Sequence, residues 1–99
     1  MTTAKRQEEN ERKNTQLIAL FDELLRRRPD LLEEIPQGAV VIMQIRGDRT
    51  FNRWACSLAE EEDPNRPRLY VEFVLRKGGI EGQKALTLDH VSELVLQRA

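Results

Sequence analysis

The residue types best suited to catalysis lie in one short stretch, GDRTFNRWACSL, at residues 47 to 58. It contains the chain's only cysteine, Cys56, two positions after its only tryptophan, Trp54. A cysteine attacks as the thiolate, which a neighbouring histidine can generate, and His90 is the only histidine in the chain. A catalytic pair of Cys56 and His90 is therefore one hypothesis, although 34 positions separate them and no motif connects them.

The polar residues of the same stretch have two interpretations. In one, Asp48 and Asn52 line a small-ligand or catalytic pocket together with Cys56 and His90. In the other, Asp48 or Thr50 is the N-cap of a helix, because a side-chain oxygen at that position accepts a hydrogen bond from a free backbone N–H. We favour the structural interpretation, and we predict a protein that is not an enzyme, with no catalytic residue and no cofactor.

The periodicity of the stretch also favours a helix. Phe51, Trp54, Ala55 and Leu58 fall on one side of a helix with 3.6 residues per turn. Cys56 lies on the flank of that stripe, where a cysteine is usually a small, partly buried filler. We therefore expect Phe51, Trp54 and Leu58 to pack together into the core.

Clusters of charge are the remaining candidates for a site. One cysteine and one histidine give no diagnostic ligand spacing, so we predict no metal site. Arg26, Arg27 and Arg28 form a basic cluster and residues 60 to 63 form an acidic one. Cations complement the dipole at the C-terminus of a helix, which gives the arginines a structural role, but they also form a possible partner-binding surface.

Composition limits the classes of protein to consider. The chain has 99 residues, of which 39% are hydrophobic and 33% are charged, and its formal net charge is −1. This length and balance indicate a single globular domain and make nucleic-acid binding improbable. No apolar run approaches the roughly 20 residues that cross a bilayer, so we expect no membrane span. The polar N-terminus contains no secretory signal, and the cytoplasm is the expected compartment.

The elements that would position these residues can be read from hydrophobic periodicity. Residues 1 to 13 form a polar arm or a helical extension, and residues 14 to 99 form one α+β domain. A broad apolar arc that includes Leu17 and Phe21 predicts a first helix, which Pro29 ends or bends. AVVIMQI and RLYVEFVL predict strands on either side of the helix around Phe51, so the chain contains a βαβ unit with parallel strands.

The end of the chain has two interpretations. Residues 77 to 84 are glycine-rich and predict a loop. Leu88, Val91, Leu94 and Val95 lie on one side of a helix that Thr87 would cap. A strand through residues 92 to 97 is the alternative, since Leu96 lies off the helical stripe. We favour the helix. The predicted fold is therefore a small sheet packed with the N-terminal and crossover helices.

Two strands do not form an independently stable sheet, and the apolar arc of the first helix is wider than one packing contact requires. Both features favour a homodimer in which one patch meets itself around a two-fold axis. An alternative is an antitoxin-like or accessory protein that binds its partner through the N-terminal arm and Arg26, Arg27 and Arg28. The small-ligand protein or enzyme based on Cys56 and His90 is the third hypothesis.

Several short motifs resemble a family of small bacterial and archaeal proteins that is grouped as a domain of unknown function. The similarity covers residues 14 to 77 and includes FDELLRRRPDLLEEIPQGAVVIM, GDRTFNRWACSLAEE and RLYVEFVLRK. The resemblance implies a compact α+β domain in a prokaryotic cytoplasm, and it supplies no activity and no catalytic residue. The positions that carry it are Phe21, Pro29, Pro36, Gly38, Asp48, Phe51 and Asn52.

Overall fold

The computed structural model describes residues 3–76 and 86–98. The predicted loop at residues 77 to 84 and the first two residues of the polar arm lie outside these ranges. Two short 3-10 helices, Pro29–Glu34 and Leu88–His90, accompany the main elements. In chain order the main elements are α1 (Thr3–Arg27), β1 (Val40–Ile45), α2 (Arg49–Ala59), β2 (Arg68–Leu75) and β3 (Val91–Arg98).

The three strands form one mixed sheet in the order β1-β2-β3. β1 and β2 are parallel, with Val40 opposite Arg68 and Ile45 opposite Phe73, and α2 makes the connection between them. β3 runs antiparallel to β2. The predicted α+β fold with a βαβ unit is confirmed.

The helix favoured for the end of the chain is wrong, because residues 91 to 98 form a strand. Only a short 3-10 turn, Leu88–His90, precedes it. Pairing with β2 brings Leu94 opposite Phe73 and Leu96 opposite Val71, both fully buried residues of the central strand. The apolar side chains that fit a helical stripe therefore pack against residues of β2, which are distant in the sequence.

The two faces of the sheet carry different helices. Residues paired across neighbouring strands point to the same face. Gln44 and Arg68 share a face, and both reach α2, through Cys56 Sγ (3.2 Å) and the Ala59 carbonyl (2.9 Å). α2 therefore packs on that face beside β1. The opposite face is apolar, and α1 covers it with Leu17, Leu20 and Phe21 above Met43, Ile45, Leu69, Val71 and Phe73, all buried.

The inward stripe of α2 differs from the predicted one at its end. Phe51 is completely buried and Ala55 and Ala59 are buried with it, whereas Leu58 is 43% exposed. Trp54 is partly buried against the core, with its ring centroid 5.8 Å from that of Phe51. Small alanines on the buried side let α2 approach β1 closely, and this places Leu58 on the outer flank.

α1 is one continuous helix that begins at Thr3, so the segment before residue 14 is a helical extension over the described part. It is not wholly exposed, because Asn10 and Lys13 are buried. The wide apolar arc is largely used within the chain: Leu17 and Phe21 are buried, and only Ile18 is an exposed large apolar residue of α1 among the described residues. No helix in residues 3–76 and 86–98 has the length and apolar content needed to cross a membrane.

Candidate functional site

Asp48 connects the start of α2 to α1. Its Oδ1 accepts a hydrogen bond from the Phe51 backbone N–H (3.1 Å), which is the N-cap arrangement expected from the sequence. Its Oδ2 accepts from Lys13 Nζ (2.8 Å), and the two side chains are 20% and 9% exposed, respectively. Both carboxylate oxygens are therefore engaged: Oδ1 caps α2, and Oδ2 links α2 to α1.

Asn52 closes the outer edge of β1 at its C-terminal end. Its Oδ1 accepts from the Ile45 backbone N–H (2.8 Å) and its Nδ2 donates to the Ile45 carbonyl (2.9 Å). The side-chain amide thereby makes the pair of hydrogen bonds that the backbone of another strand would make. Both polar atoms of the Asn52 side chain are therefore bonded to the backbone of β1.

Replacing Asn52 with alanine is expected to destabilise the protein by about 2–4 kcal/mol, because it leaves two part-buried backbone groups without partners. Urea denaturation measures this change. The matched control is Ser57→Ala on the exposed side of α2, where the hydroxyl bonds only to the Trp54 carbonyl and a change below about 0.5 kcal/mol is expected. Equal stabilities for the two variants would contradict the assigned role of Asn52.

Cys56 and His90 are not brought together. Cys56 is half-buried, and its sulfur accepts from Gln44 Nε2 (3.2 Å) on β1. His90 precedes β3 at the other edge of the sheet, and its Nδ1 accepts from the Thr87 backbone N–H (3.0 Å). Since β2 lies between β1 and β3 in the sheet, these two hydrogen bonds are made on opposite sides of the central strand.

The basic cluster of Arg26, Arg27 and Arg28 is exposed at the end of α1. Arg27 pairs with Glu23 (3.2 Å) and Arg28 with Asp30 (2.9 Å). The hydrogen bond from Arg28 holds the pKa of the Asp30 carboxyl below its ordinary value. These contacts are local and surface-exposed, and partner binding by this cluster stays a prediction.

The acidic residues 60 to 63 flank a turn that Arg66 organises. Arg66 Nη1 pairs with Glu62 (2.9 Å), while its Nε and Nη2 donate to the carbonyls of Gly38 (2.9 Å) and Ala39 (3.3 Å). Among residues 3–76 and 86–98, no group of three or more histidine, cysteine, aspartate or glutamate side chains is arranged to hold a metal ion.

The α2-bearing face of the sheet is open over β2 and β3. A shallow groove of about 280 Å³ lies there. At its border Glu72 pairs with Arg46 (2.8 Å), and this contact raises the pKa of Arg46. The groove is mainly polar and offers a surface of hydrogen-bonding groups; it is lined by Gln44, Tyr70, Glu72, Val95, Gln97 and Arg98.

The elements that contain these contacts match a known family. A model for a family of unknown function, DUF5647, matches residues 9–81. The chain belongs to the DUF5647 family. Comparison with curated proteins and with solved structures found no match. The resemblance expected from the sequence to a domain of unknown function is therefore confirmed, and the match includes all seven positions on which it was based.

Within this DUF5647 chain, the outer edge of β3 is a feature that the favoured C-terminal helix does not contain and that only the alternative strand predicted. β2 is the only strand that pairs with β3 among the described residues. The edge carries three consecutive half-buried apolar residues, Leu94, Val95 and Leu96. Consecutive branched apolar residues are typical of a strand with two partly covered faces, and this feature of the sequence could have indicated the edge.

Proposed function

We propose that this DUF5647 protein is a homodimeric interaction protein of a prokaryotic cytoplasm and not an enzyme. The observation that carries the proposal is the outer edge of β3. Among the described residues only β2 pairs with this eight-residue strand, and its Leu94, Val95 and Leu96 are half-buried. A long edge with apolar side chains readily pairs with another strand. A homodimer would cover this edge.

The contacts of the reactive residue types support a non-enzymatic role. Asp48 caps α2 and pairs with Lys13, and Asn52 holds the backbone of Ile45. Cys56 accepts from Gln44. Each of these groups has a structural task in the contact that it makes, and none of them converges on a shared cleft with His90.

Light scattering of the purified chain tests the homodimer. The monomer has a mass of 11.5 kDa, and we expect twice that value at micromolar concentration. We also expect the melting temperature to rise with protein concentration, because a partner subunit that binds only the folded state stabilises it by mass action. A mass of 11.5 kDa at every concentration, with a constant melting temperature, would contradict the proposal.

A further inference from the structure

The two edges of the sheet are not equally open. On β1, Asn52 occupies the backbone groups of Ile45, Arg66 occupies the carbonyl of Ala39, and Met43 is buried. These contacts leave little of the β1 edge for a second strand. In the described part of the chain, the β3 edge has no comparable side-chain bonds to its backbone.

Backbone contacts fix which groups of β3 point outward. The N–H groups of Val40 and Arg46 donate to the carbonyls of Pro67 and Phe73, so the odd-numbered residues of β2 direct their backbone groups towards β1. The even-numbered residues of β2 therefore face β3, where they lie opposite residues 93, 95 and 97. It follows that Leu94, Leu96 and Arg98 direct their N–H and C=O groups away from the sheet.

We propose that β3 pairs antiparallel with β3 of a second copy of this chain, about a two-fold axis at Leu96. The result is a continuous sheet of six strands, since the described part of each copy contributes three. This inference rests on the proposed homodimer and specifies its interface.

The register follows from the spacing of the outward groups. A β-bulge disturbs the pairing near Ser92, so regular pairing is confined to the rest of the strand. A two-fold axis at Leu96 places Leu94 opposite Arg98 of the second copy and Leu96 opposite itself. In this register Leu94, Leu96 and Arg98 each form both backbone hydrogen bonds with the second copy. An axis at Val95 would instead place Arg98 opposite Ser92, in the bulge, and only Leu94 and Leu96 would pair regularly.

A second copy fits this edge because the two-fold axis brings side chains that are compatible with each other face to face. Leu96 meets Leu96 beside the apolar core that it already contacts, and Val95 lies opposite Gln97 of the second copy. No two like charges lie directly opposite each other in this register, and such a pair would be destabilising. The same α1-covered face therefore continues across the interface.

Amide hydrogen exchange followed by NMR tests the interface without altering the chain. At a concentration where the mass is that of a dimer, we expect slow exchange at Leu94, Leu96 and Arg98 as well as at Val95 and Gln97. Dilution to the monomer should accelerate exchange at the first three by at least about tenfold, because their N–H groups then face water. The outward amide of Val41 on β1 is the matched control and should not change.

The possible outcomes separate the interface from the homodimer. A dimer whose Leu94, Leu96 and Arg98 amides exchange rapidly would overturn the β3 interface and leave the homodimer standing. A monomer at every concentration would overturn both. Protection that the purified chain lacks but gains when a different protein's strand is added would assign the edge to that protein and overturn self-pairing.

Discussion

Replacing Phe51 with alanine is expected to destabilise the protein by about 3–5 kcal/mol, which is the usual result of truncating a fully buried phenylalanine. Phe51 is completely buried and belongs to the central cluster, where it also contacts the ring of Trp54. A small domain has a total stability of about 5–15 kcal/mol, so the variant would be close to unfolding at moderate temperature. Chemical denaturation followed by circular dichroism measures the loss.

Leu58→Ala is the control for this prediction, because Leu58 is 43% exposed on the same helix. We expect it to cost no more than about 1 kcal/mol, since most of its surface already faces water. Comparable losses at Phe51 and Leu58 would mean that Leu58 is buried, as the sequence predicted, and would contradict its position on the exposed side of α2.

Replacing Asp48 with alanine is expected to destabilise the protein by about 3–5 kcal/mol. It removes an N-cap and leaves the buried ammonium of Lys13 without its partner, and the second effect is the larger one. Thermal or chemical denaturation measures the change. Asp48→Asn retains a capping side chain and should therefore be less destabilised than Asp48→Ala.

A second substitution separates the two effects of losing Asp48. Lys13→Met replaces the buried ammonium with an apolar side chain of similar length, so the double variant with Asp48→Ala should be more stable than Asp48→Ala alone. If the double variant is the less stable of the two, the unpaired charge is not the cause of the destabilisation.

The sequence predicted the elements whose periodicity agrees with their tertiary environment. Leu17 and Phe21 lie on the buried side of α1, and β2 is a strand in which alternate residues, Leu69, Val71 and Phe73, are buried. In α2 the burial of Phe51 was predicted correctly, because it is a large apolar residue at the centre of the hydrophobic stripe. The predicted burial of Leu58 was wrong. A hydrophobic pattern favours leucine over alanine at a buried position, whereas close packing of α2 against β1 favours the smaller Ala59.

β3 shows where local periodicity fails. Leu88, Val91, Leu94 and Val95 satisfy a helical spacing in isolation, and a short apolar segment fits both a helix and a strand. The structure is decided by the bonds to β2, which lies about 20 residues earlier in the chain. A sequence pattern confined to the segment contains no information about that partner.

The contacts around α2 also include local ones, which the sequence predicts, and long-range ones, which it does not. The bond from Asp48 to the Phe51 N–H spans three residues, so the residue type and position predicted it. The pairing of Lys13 with Asp48 spans 35 residues, and the bond from Gln44 to Cys56 joins a strand to a helix. Both depend on how the elements pack, and for this reason the polar residues around Cys56 could be mistaken for a pocket.

Sedimentation equilibrium of the wild type, Leu96→Lys and Val41→Lys tests most directly whether the chain acts as a homodimer through β3. Val41 and Leu96 are both partly exposed, and they lie on the same face of the sheet at opposite edges. We expect dimers for the wild type and for Val41→Lys. Leu96→Lys should be a monomer with an unchanged circular dichroism spectrum, because two lysines would meet at the two-fold axis. A dimeric Leu96→Lys, or a monomeric wild type, would contradict the account.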